Sequence, residues 1–357
     1  TERLQGLHER LLEIVPDVER VACALYDPEE DLLKTFINST RNGEVLKAHQ
    51  YRLSDSESLS HLARTKELRH LTGIQDLLEP TTAHSSFVLK EGFQSSFTVP
   101  MYYQGDFLGF IFFDSRKSDT FTPQVQRELV LNANLITMAI ANELMAIRSI
   151  VGTVNIARDF AEFRDLETGE HLQRIARYAR IITRQLAKMI DLDDEFVEHV
   201  FLYSPLHDIG KIAIPDRILL KPGRLDAEEW EIMKTHTTRG REMIDQITRD
   251  LHIDNLPDNQ VLRNIVEFHH EAMDGSGYPA GLSGEDIPLE SRIVSVADVF
   301  DALTSHRPYK TQWSVDDAVT ELHRMVEIGK LDPMCVQAID LQREAVEDVL
   351  RSHPEHV

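Results

Sequence analysis

Ser204-Pro205-Leu206-His207-Asp208-Ile209-Gly210-Lys211 is the stretch on which the reading of this chain turns. It places a His-Asp pair at a helix end, with Gly210-Lys211 directly behind. Pro205 kinks the helix that leads into it. Lys211 follows His207 by four residues, a spacing that lets both face one side. Further groups with the same chemistry lie on either side. Glu167 and His171 are four apart and share one helical face. His236 follows a helical stretch containing Trp230, Ile232 and Met233. His269-His270 close another helix, just before a glycine-rich loop. Asp298 follows the apolar run Ile293-Val294-Ser295-Val296-Ala297, with Asp301 three residues later. Alone, each has a bland alternative: a solvated Glu/His pair, a surface histidine, or a satisfied core histidine. Asp298 differs, because a carboxylate in an apolar run is rarely buried without a partner. A metal ion would supply that partner.

Around these residues the pattern is helical almost throughout from about residue 153 onward. The expected loops are 212–225, with Pro215, Pro222 and Gly223, and 274–288, with Gly275, Gly277, Gly281 and Gly284. Trp313-Ser314 opens a final helix, with Ser314 and Asp317 at capping-box spacing.

The first 120 residues read instead as mixed α and β. Leu4, Leu7, Leu11, Leu12 and Val15 form a helical stripe ended near Pro16. Strands are expected over Val18 to Tyr26 and Leu32 to Ile37, joined by the turn Asp27-Pro28-Glu29-Glu30. Phe97, Val99, Met101 and Tyr103 share one strand face. Gln104-Gly105-Asp106 turns the chain, and Phe107 to Phe113 runs back as a hairpin. Together these predict a small α+β sensor-type domain.

Thr122-Pro123 starts a helix. The next Pro is Pro205, and Gly152 is the one glycine before Gly169, so a long helix leaves the first domain for the second. Leu129, Ile136, Ile140, Leu144, Ile147 and Val151 recur at near-heptad spacing and form the expected seam of a dimer.

Composition sets limits on function. The chain has 357 residues and a formal charge of -22, from 38 Lys plus Arg against 60 Asp plus Glu. That length fits two domains. So acidic a surface excludes general binding of nucleic-acid polymers, whose phosphates need a basic face. An anionic substrate would need a local cationic patch or metal ions. Two cysteines, Cys23 and Cys335, exclude a disulfide framework and a cysteine-rich zinc site, and fit a reducing cytoplasm. Cys23 reads as a small buried thiol in a strand. No consecutive apolar run approaches the roughly 18 residues of a membrane span. The start is no signal peptide, and its lack of an initiating Met leaves room for an upstream segment.

In order, these segments resemble the HD superfamily of metal-dependent phosphohydrolases, and most closely its HD-GYP subgroup. The resemblance rests on His171, His207-Asp208-Ile209-Gly210-Lys211, Ile214-Pro215-Asp216, Lys221-Pro222-Gly223, His269-His270-Glu271, Asp274-Gly275-Ser276-Gly277-Tyr278-Pro279 and Asp298 to Lys310, ending Arg307-Pro308-Tyr309-Lys310. It covers roughly residues 155 to 345. Residues 1–140 resemble a GAF domain by pattern alone, without a cyclic-nucleotide signature. The implied organisation is a GAF-like α+β sensor domain at 1–121, a connecting helix at 122–160, and an all-α HD-GYP domain at 161–357.

The resemblance implies a cyclic-di-GMP phosphodiesterase. Its metal ligands would be His171, His207, Asp208, His236, His269, His270 and Asp298, with Asp208 bridging two ions. Glu167 matches the extra carboxylate of members that hold a third ion. Lys211, Arg307 and Lys310 match residues that contact substrate phosphate, and Tyr278 is the tyrosine of the GYP motif. The implied cofactors are two or three divalent transition-metal ions, iron first and manganese next. The implied partners are cyclic-di-GMP, a second copy of the chain and diguanylate cyclase-type proteins, with an unknown ligand or none at the GAF-like domain.

The residues make chemical sense of this. Two bridged ions about 3.5–4 Å apart lower the pKa of a water and neutralise phosphate oxygens. Imidazole plus carboxylate without thiolate suits Fe, Mn, Co, Ni or Zn. Lys211 would stabilise charge developing in the transition state, giving it a catalytic role beside Asp208. Arg307 and Lys310, three apart, form a phosphate clamp in so acidic a chain. Four glycines let the loop around Tyr278 approach a ligand closely. Two departures bear on loop geometry: Ser204-Pro205 before the His-Asp pair, and the long polar connection from Arg249 to Gln260. The alternatives are a catalytically weak module that binds nucleotide or protein partners, and a phosphodiesterase for another cyclic dinucleotide.

Overall fold

Alternating apolar residues in the first third produce one antiparallel sheet. In the computed structural model the described residues are 10–11, 13–41, 49–77, 83–160, 169–251, 259–305 and 312–354. The chain divides into two units: residues 1–144 with 193–195, and 145–192 with 196–357.

In the first unit the strands are β1 (Arg20–Asp27), β2 (Leu32–Thr40), β3 (Gln50–Arg52), β4 (Arg69–Thr72), β5 (Ser95–Tyr103) and β6 (Asp106–Ser115). Their order across the sheet is β3-β2-β1-β6-β5-β4, and every pair is antiparallel. The expected hairpin is β5–β6, whose turn residues Gln104 and Gly105 both take positive φ. Strand alternation gives the sheet two apolar faces. Val21, Cys23, Phe97, Val99, Met101, Ile111 and Phe113 lie in one cluster, with Leu11 and Val15 from the N-terminal stripe. Ala22, Ala24, Leu33, Phe110 and Phe112 lie in the other, with Leu62 of the helix Glu57–Thr65.

The long helix forms as its sequence predicts, from Pro123 to Phe160. Its expected dimer seam is corrected at four of its six positions; Leu144 is half-buried, and the side chain of Val151 lies outside the described residues. Leu129, Ile136 and Ile140 are buried in the core of the first unit, and Ile147 in that of the second. Among the described residues of this helix the large apolar side chains that are exposed are instead Leu131, Leu135 and Met138. A second expectation also changes. The stretch Pro123–Ile147 has a mean hydropathy of 1.4 and is long and apolar enough to cross a membrane. Counting consecutive apolar residues missed it, because asparagines punctuate the stretch. Five of its side chains (Leu129, Ala133, Ile136, Ile140 and Ala141) pack into the sheet's core, the role of a core helix rather than a span.

Among its described residues the second unit is helical, with one isolated bridge, Asp274 to Ser283, inside the glycine loop. Gly169–Leu186 is its central helix, burying His171, Ile175, Ala179, Ile182 and Leu186 on one face. Around the same core lie Val261, Leu262, Ile265 and Val266 from Asn259–Phe268, and Ile293, Val294, Val296, Ala297 and Phe300 from Leu289–Thr304. Asp194–Tyr203 ends one residue before Ser204-Pro205, as Pro205 requires, and the chain continues in 3-10 turns at Ser204–Leu206 and Ile209–Ala213. The expected loop at 212–225 contains a helical turn at Asp216–Leu219. The capping expectation holds at Ser314, whose hydroxyl accepts from the Asp317 amide at 3.1 Å.

Candidate metal centre

Five different segments bring their histidines and carboxylates to one place. His171 comes from the buried face of Gly169–Leu186. His207 and Asp208 come from the turns after Tyr203. His236 is the first residue of His236–Asp250, His269 and His270 follow Phe268, and Asp298 lies in Leu289–Thr304. Two groups result, each with ligand atoms within 4.8 Å of one another: His171, His207 and Asp298; and Asp208, His236, His269 and His270.

Asp208 faces both groups. Its Oδ2 lies 3.1 Å from His207 Nε2, while Oδ1 lies 3.1 Å from His236 Nε2 and 3.6 Å from His269 Nε2. One carboxylate thus spans two sets of imidazoles. This close approach depends on Gly210. A Cβ there would sit 1.8 Å from the His236 carbonyl oxygen and 2.6 Å from the Gly240 nitrogen. Only glycine lets the turn carrying Asp208 lie against the start of the helix carrying His236.

The remote ring nitrogens settle which atoms point inward. Nδ1 of His207, His236 and His269 lies 2.9, 2.8 and 2.9 Å from the carbonyls of Ser204, Met233 and Ile265. A carbonyl can only accept, so each Nδ1 carries a proton, and in the neutral ring the lone pair is left on Nε2. His171 Nδ1 lies 2.7 Å from Asp301 Oδ2, which orients that ring the same way. His236 Nε2, His269 Nε2 and Asp208 Oδ1 are buried and make no hydrogen bond, although they crowd together. Lone pairs facing a carboxylate oxygen repel unless a cation lies between them. Imidazole Nε2 atoms held by Nδ1 bonds and aimed at a bridging carboxylate fit divalent transition-metal ions.

Electrostatics agree with this. Burial alone would raise the Asp208 carboxyl, but its neighbours, the Lys211 ammonium foremost, outweigh it and hold it well below the ordinary carboxylate range. Lys211 Nζ lies 2.7 Å from Asp208 Oδ2. Burial pushes the His269 and His270 imidazoles down, His270 strongly. An ionised Asp208 beside neutral His269 and His270 is the protonation pattern that binds metal.

Tyr278 joins the cluster from the glycine loop. Its ring centroid is 4.9 Å from that of His270 and 6.2 Å from that of His236. Gly277 permits this fold-back, since a Cβ there would lie 2.3 Å from the Ala272 nitrogen. Three expected site residues, Glu167, Arg307 and Lys310, lie outside the described residues.

The sequence reading missed the support beneath His171. Of the two aspartates of its helix Asp301, not Asp298, is the deeply buried one, at 1% exposure against a half-buried Asp298. Asp301 accepts from Arg174 Nε at 2.6 Å and Nη2 at 2.9 Å, and from Ser305 Oγ at 2.9 Å. Burial would raise its pKa, but the bonds from His171 and Arg174 bring it down to about 2. The signal in the sequence was its position, one helical turn after Asp298 with Val299 and Phe300 between them.

Comparison with known proteins agrees with the site. Residues 158–335 match the family described as "HD domain". This segment is an HD domain. Among curated relatives, the cyclic di-GMP phosphodiesterase response regulator RpfG of Xanthomonas campestris pv. campestris (strain 8004) is 45% identical over 189 residues, covering 53% of this chain and 47% of that protein. The 3'3'-cGAMP-specific phosphodiesterase 2 of Vibrio cholerae serotype O1 is 43% identical over 179 residues, covering 50% and 32%. The cyclic di-GMP phosphodiesterase of Thermotoga maritima is 41% identical over 199 residues, covering 56% and 50%. The chain thus spans half or less of the length of each of these relatives. Beside the first unit, a GAF domain/HD domain protein from Geobacter sulfurreducens aligns with TM-score 0.32 at 14% identity, covering 40% of this chain and 91% of that one.

Proposed function

We propose that the second unit is a metal-dependent phosphodiesterase that opens a cyclic dinucleotide, with cyclic-di-GMP as its substrate. The observation that carries this reading is Asp208, with each of its oxygens facing a different imidazole group. In this reading His171, His207 and Asp298 hold one ion and His236, His269 and His270 the other, while Asp208 binds both. Iron is the first choice of metal and manganese the second. Glu167 is the proposed ligand of a third ion.

When bound, the ions supply Lewis acidity toward the phosphodiester and a lowered pKa for the attacking water. The chain's own residues do the rest. Asp208 fixes the separation of the two ligand groups. The carbonyls of Ser204, Met233 and Ile265 hold three imidazoles in the ligating tautomer. Lys211, anchored on Asp208, offers its ammonium to a phosphoryl oxygen as charge develops. Arg307 and Lys310 are the proposed clamp on the second phosphate.

The test is metal content after anaerobic purification, followed by product analysis with cyclic-di-GMP. Turnover that tracks metal loading supports the reading; fully metallated protein that leaves cyclic-di-GMP intact refutes it. 3'3'-cGAMP is the second substrate to assay, because a relative at 43% identity is named for it.

In the proposed division of labour, residues 1–121 sense, the helix at 122–160 connects and 161–357 hydrolyse, in a reducing cytoplasm that keeps the buried thiols of Cys23 and Cys335 free. The chain works as a homodimer paired through the exposed face of the long helix. Leu131, Leu135 and Met138 are 66%, 59% and 55% exposed, and with Asn142 they follow the 4-3-4 spacing of a two-stranded seam. An Asn at such a position favours an in-register pair. No charged residue occurs between Glu128 and Glu143, so two copies of an acidic chain meet there without like-charge repulsion. Leu135→Lys should yield a monomer in light scattering; an unchanged dimer would place the interface elsewhere.

A further inference from the structure

Aromatic side chains normally bury most of their area, because each carries a large apolar surface. Among the described residues Trp230 is the one exposed aromatic, at 46%. It stands on Ala227–Lys234, the helix that delivers His236 to the site. Its indole meets the Tyr278 ring edge-on, with centroids 6.2 Å apart and planes at 82°. Tyr278 in turn lies on His270, at 4.9 Å and 32°. A chain of rings therefore runs from the metal centre outward to solvent.

This chain leaves by the open side of the site. His171, His207, His236 and His269 are buried, whereas Asp208, His270, Asp298, Lys211 and Tyr278 keep partial exposure. A phosphodiester entering to meet Asp208 and Lys211 must pass these residues. In a dinucleotide, the base is tethered to the phosphate through one sugar, so it comes to rest a few ångströms from the reacting phosphorus. Lys234, one helical turn from Trp230, holds its ammonium 5.9 Å from the Tyr278 ring centroid and pairs with Glu231. The wall is thus aromatic, with a cation beside it, a surface suited to a purine attached to a phosphate.

We infer that Trp230 is a substrate-binding residue: its exposed indole face stacks on one guanine of the cyclic dinucleotide while Tyr278 braces the indole edge. This inference rests on the phosphodiesterase reading above and adds to it a base-binding subsite. Stacking on an indole does not read the base's hydrogen-bonding edge, so Trp230 would supply affinity for purines rather than a choice between guanine and adenine.

Trp313 is the other tryptophan of the chain, so Trp313→Phe makes Trp230 the sole indole emitter. In that full-length protein, cyclic-di-GMP and GMP should quench the Trp230 emission saturably, and metal removal should leave GMP quenching in place. Trp230→Ala should raise KM for cyclic-di-GMP roughly tenfold or more, with kcat within about twofold and metal content unchanged. Trp230→Phe should recover most of the lost affinity. Protein that turns over cyclic-di-GMP while its Trp230 emission stays indifferent to saturating substrate would overturn the subsite and leave the phosphodiesterase reading standing. Trp230→Ala that lowers kcat with KM unchanged would also overturn it, by assigning the indole a role in bracing the loop. Saturable quenching by GMP in protein that hydrolyses no cyclic dinucleotide would retain the subsite and refute the activity.

Discussion

Asp114 in the first unit and Asp208 in the second are both carboxylates withdrawn from water, and they are treated in opposite ways. Asp114 is 2% exposed and receives Arg20 Nη1 at 2.5 Å, with the guanidinium 5.2 Å from the Phe87 ring centroid. The protein supplies a permanent cation, because arginine cannot give up its proton. Asp208 has Lys211 on one side, but its Oδ1 faces imidazole lone pairs and makes no hydrogen bond. A guanidinium closes a buried charge; imidazoles leave it open to a cation from solution. The first arrangement is a structural pair and the second is suited to a metal ion, and the difference lies in the partners rather than in the depth of burial.

The largest effect that would break this comparison is at Asp208. Asp208→Asn should strip the metal and cut turnover by more than the roughly 10²–10³-fold that one lost transition-state hydrogen bond costs. In chelator-treated protein the same change should hold or raise the melting temperature, since it removes a buried charge awaiting a partner. If Asp208→Asn destabilised the metal-free protein, Asp208 would belong with Asp114.

Arg20→Met is the converse. It leaves Asp114 buried without its cation, at a cost of about 3–5 kcal/mol in denaturant unfolding. Adding Asp114→Leu should recover most of that loss, and the metal content of the second unit should not change. A single variant as stable as wild type would show that water reaches Asp114.

Gly210→Ala tests whether ligand geometry depends on one close approach. The new Cβ must displace the first turn of the helix carrying His236. We expect a loss of about 1–3 kcal/mol in stability from overpacking, together with weaker metal binding measured by competition with a chelator. Unweakened binding would mean that the His236 turn yields without moving its ring.

Most of the proposed ligand set was legible through the ordered motifs and the family resemblance they carry, because each residue alone had a bland alternative. His171, His207, Asp208, His236, His269, His270 and Asp298 all converge. Strand alternation revealed the β5–β6 hairpin. The long helix was less legible. Between Glu128 and Glu143 it carries no charge, so two apolar stripes coexist at helical spacing. Periodicity alone could not say that Leu129, Ile136 and Ile140 face inward while Leu131, Leu135 and Met138 face outward. Asp301 was hidden for another reason. Its partners, His171 and Arg174, are some 130 residues away in sequence, and its position one turn from Asp298 does not say which distant groups it meets.

Asp301 also gives the comparison its intermediate case, with the smallest expected effect on chemistry. It is closed by Arg174, as Asp114 is by Arg20, yet its Oδ2 also holds His171 Nδ1 at 2.7 Å. Asp301→Asn keeps the shape but replaces one carboxylate oxygen with an amide donor. The amide nitrogen cannot accept, so it faces either Arg174 Nε at the Oδ1 position or His171 Nδ1 and Arg174 Nη2 at the Oδ2 position, and either conflict shifts the group that anchors the imidazole. Supports of this kind typically contribute 10–100-fold to metal affinity or activity. We therefore expect metal affinity to fall by about that factor, with turnover restored at high metal concentration. Asp208→Asn should not be rescued in this way, because it removes a ligand rather than a support. If excess metal failed to restore Asp301→Asn while its fold stayed intact, Asp301 would take part in the chemistry directly. If neither affinity nor turnover changed, Arg174 would be its only functional partner and Asp301 would join Asp114 as a closed structural pair.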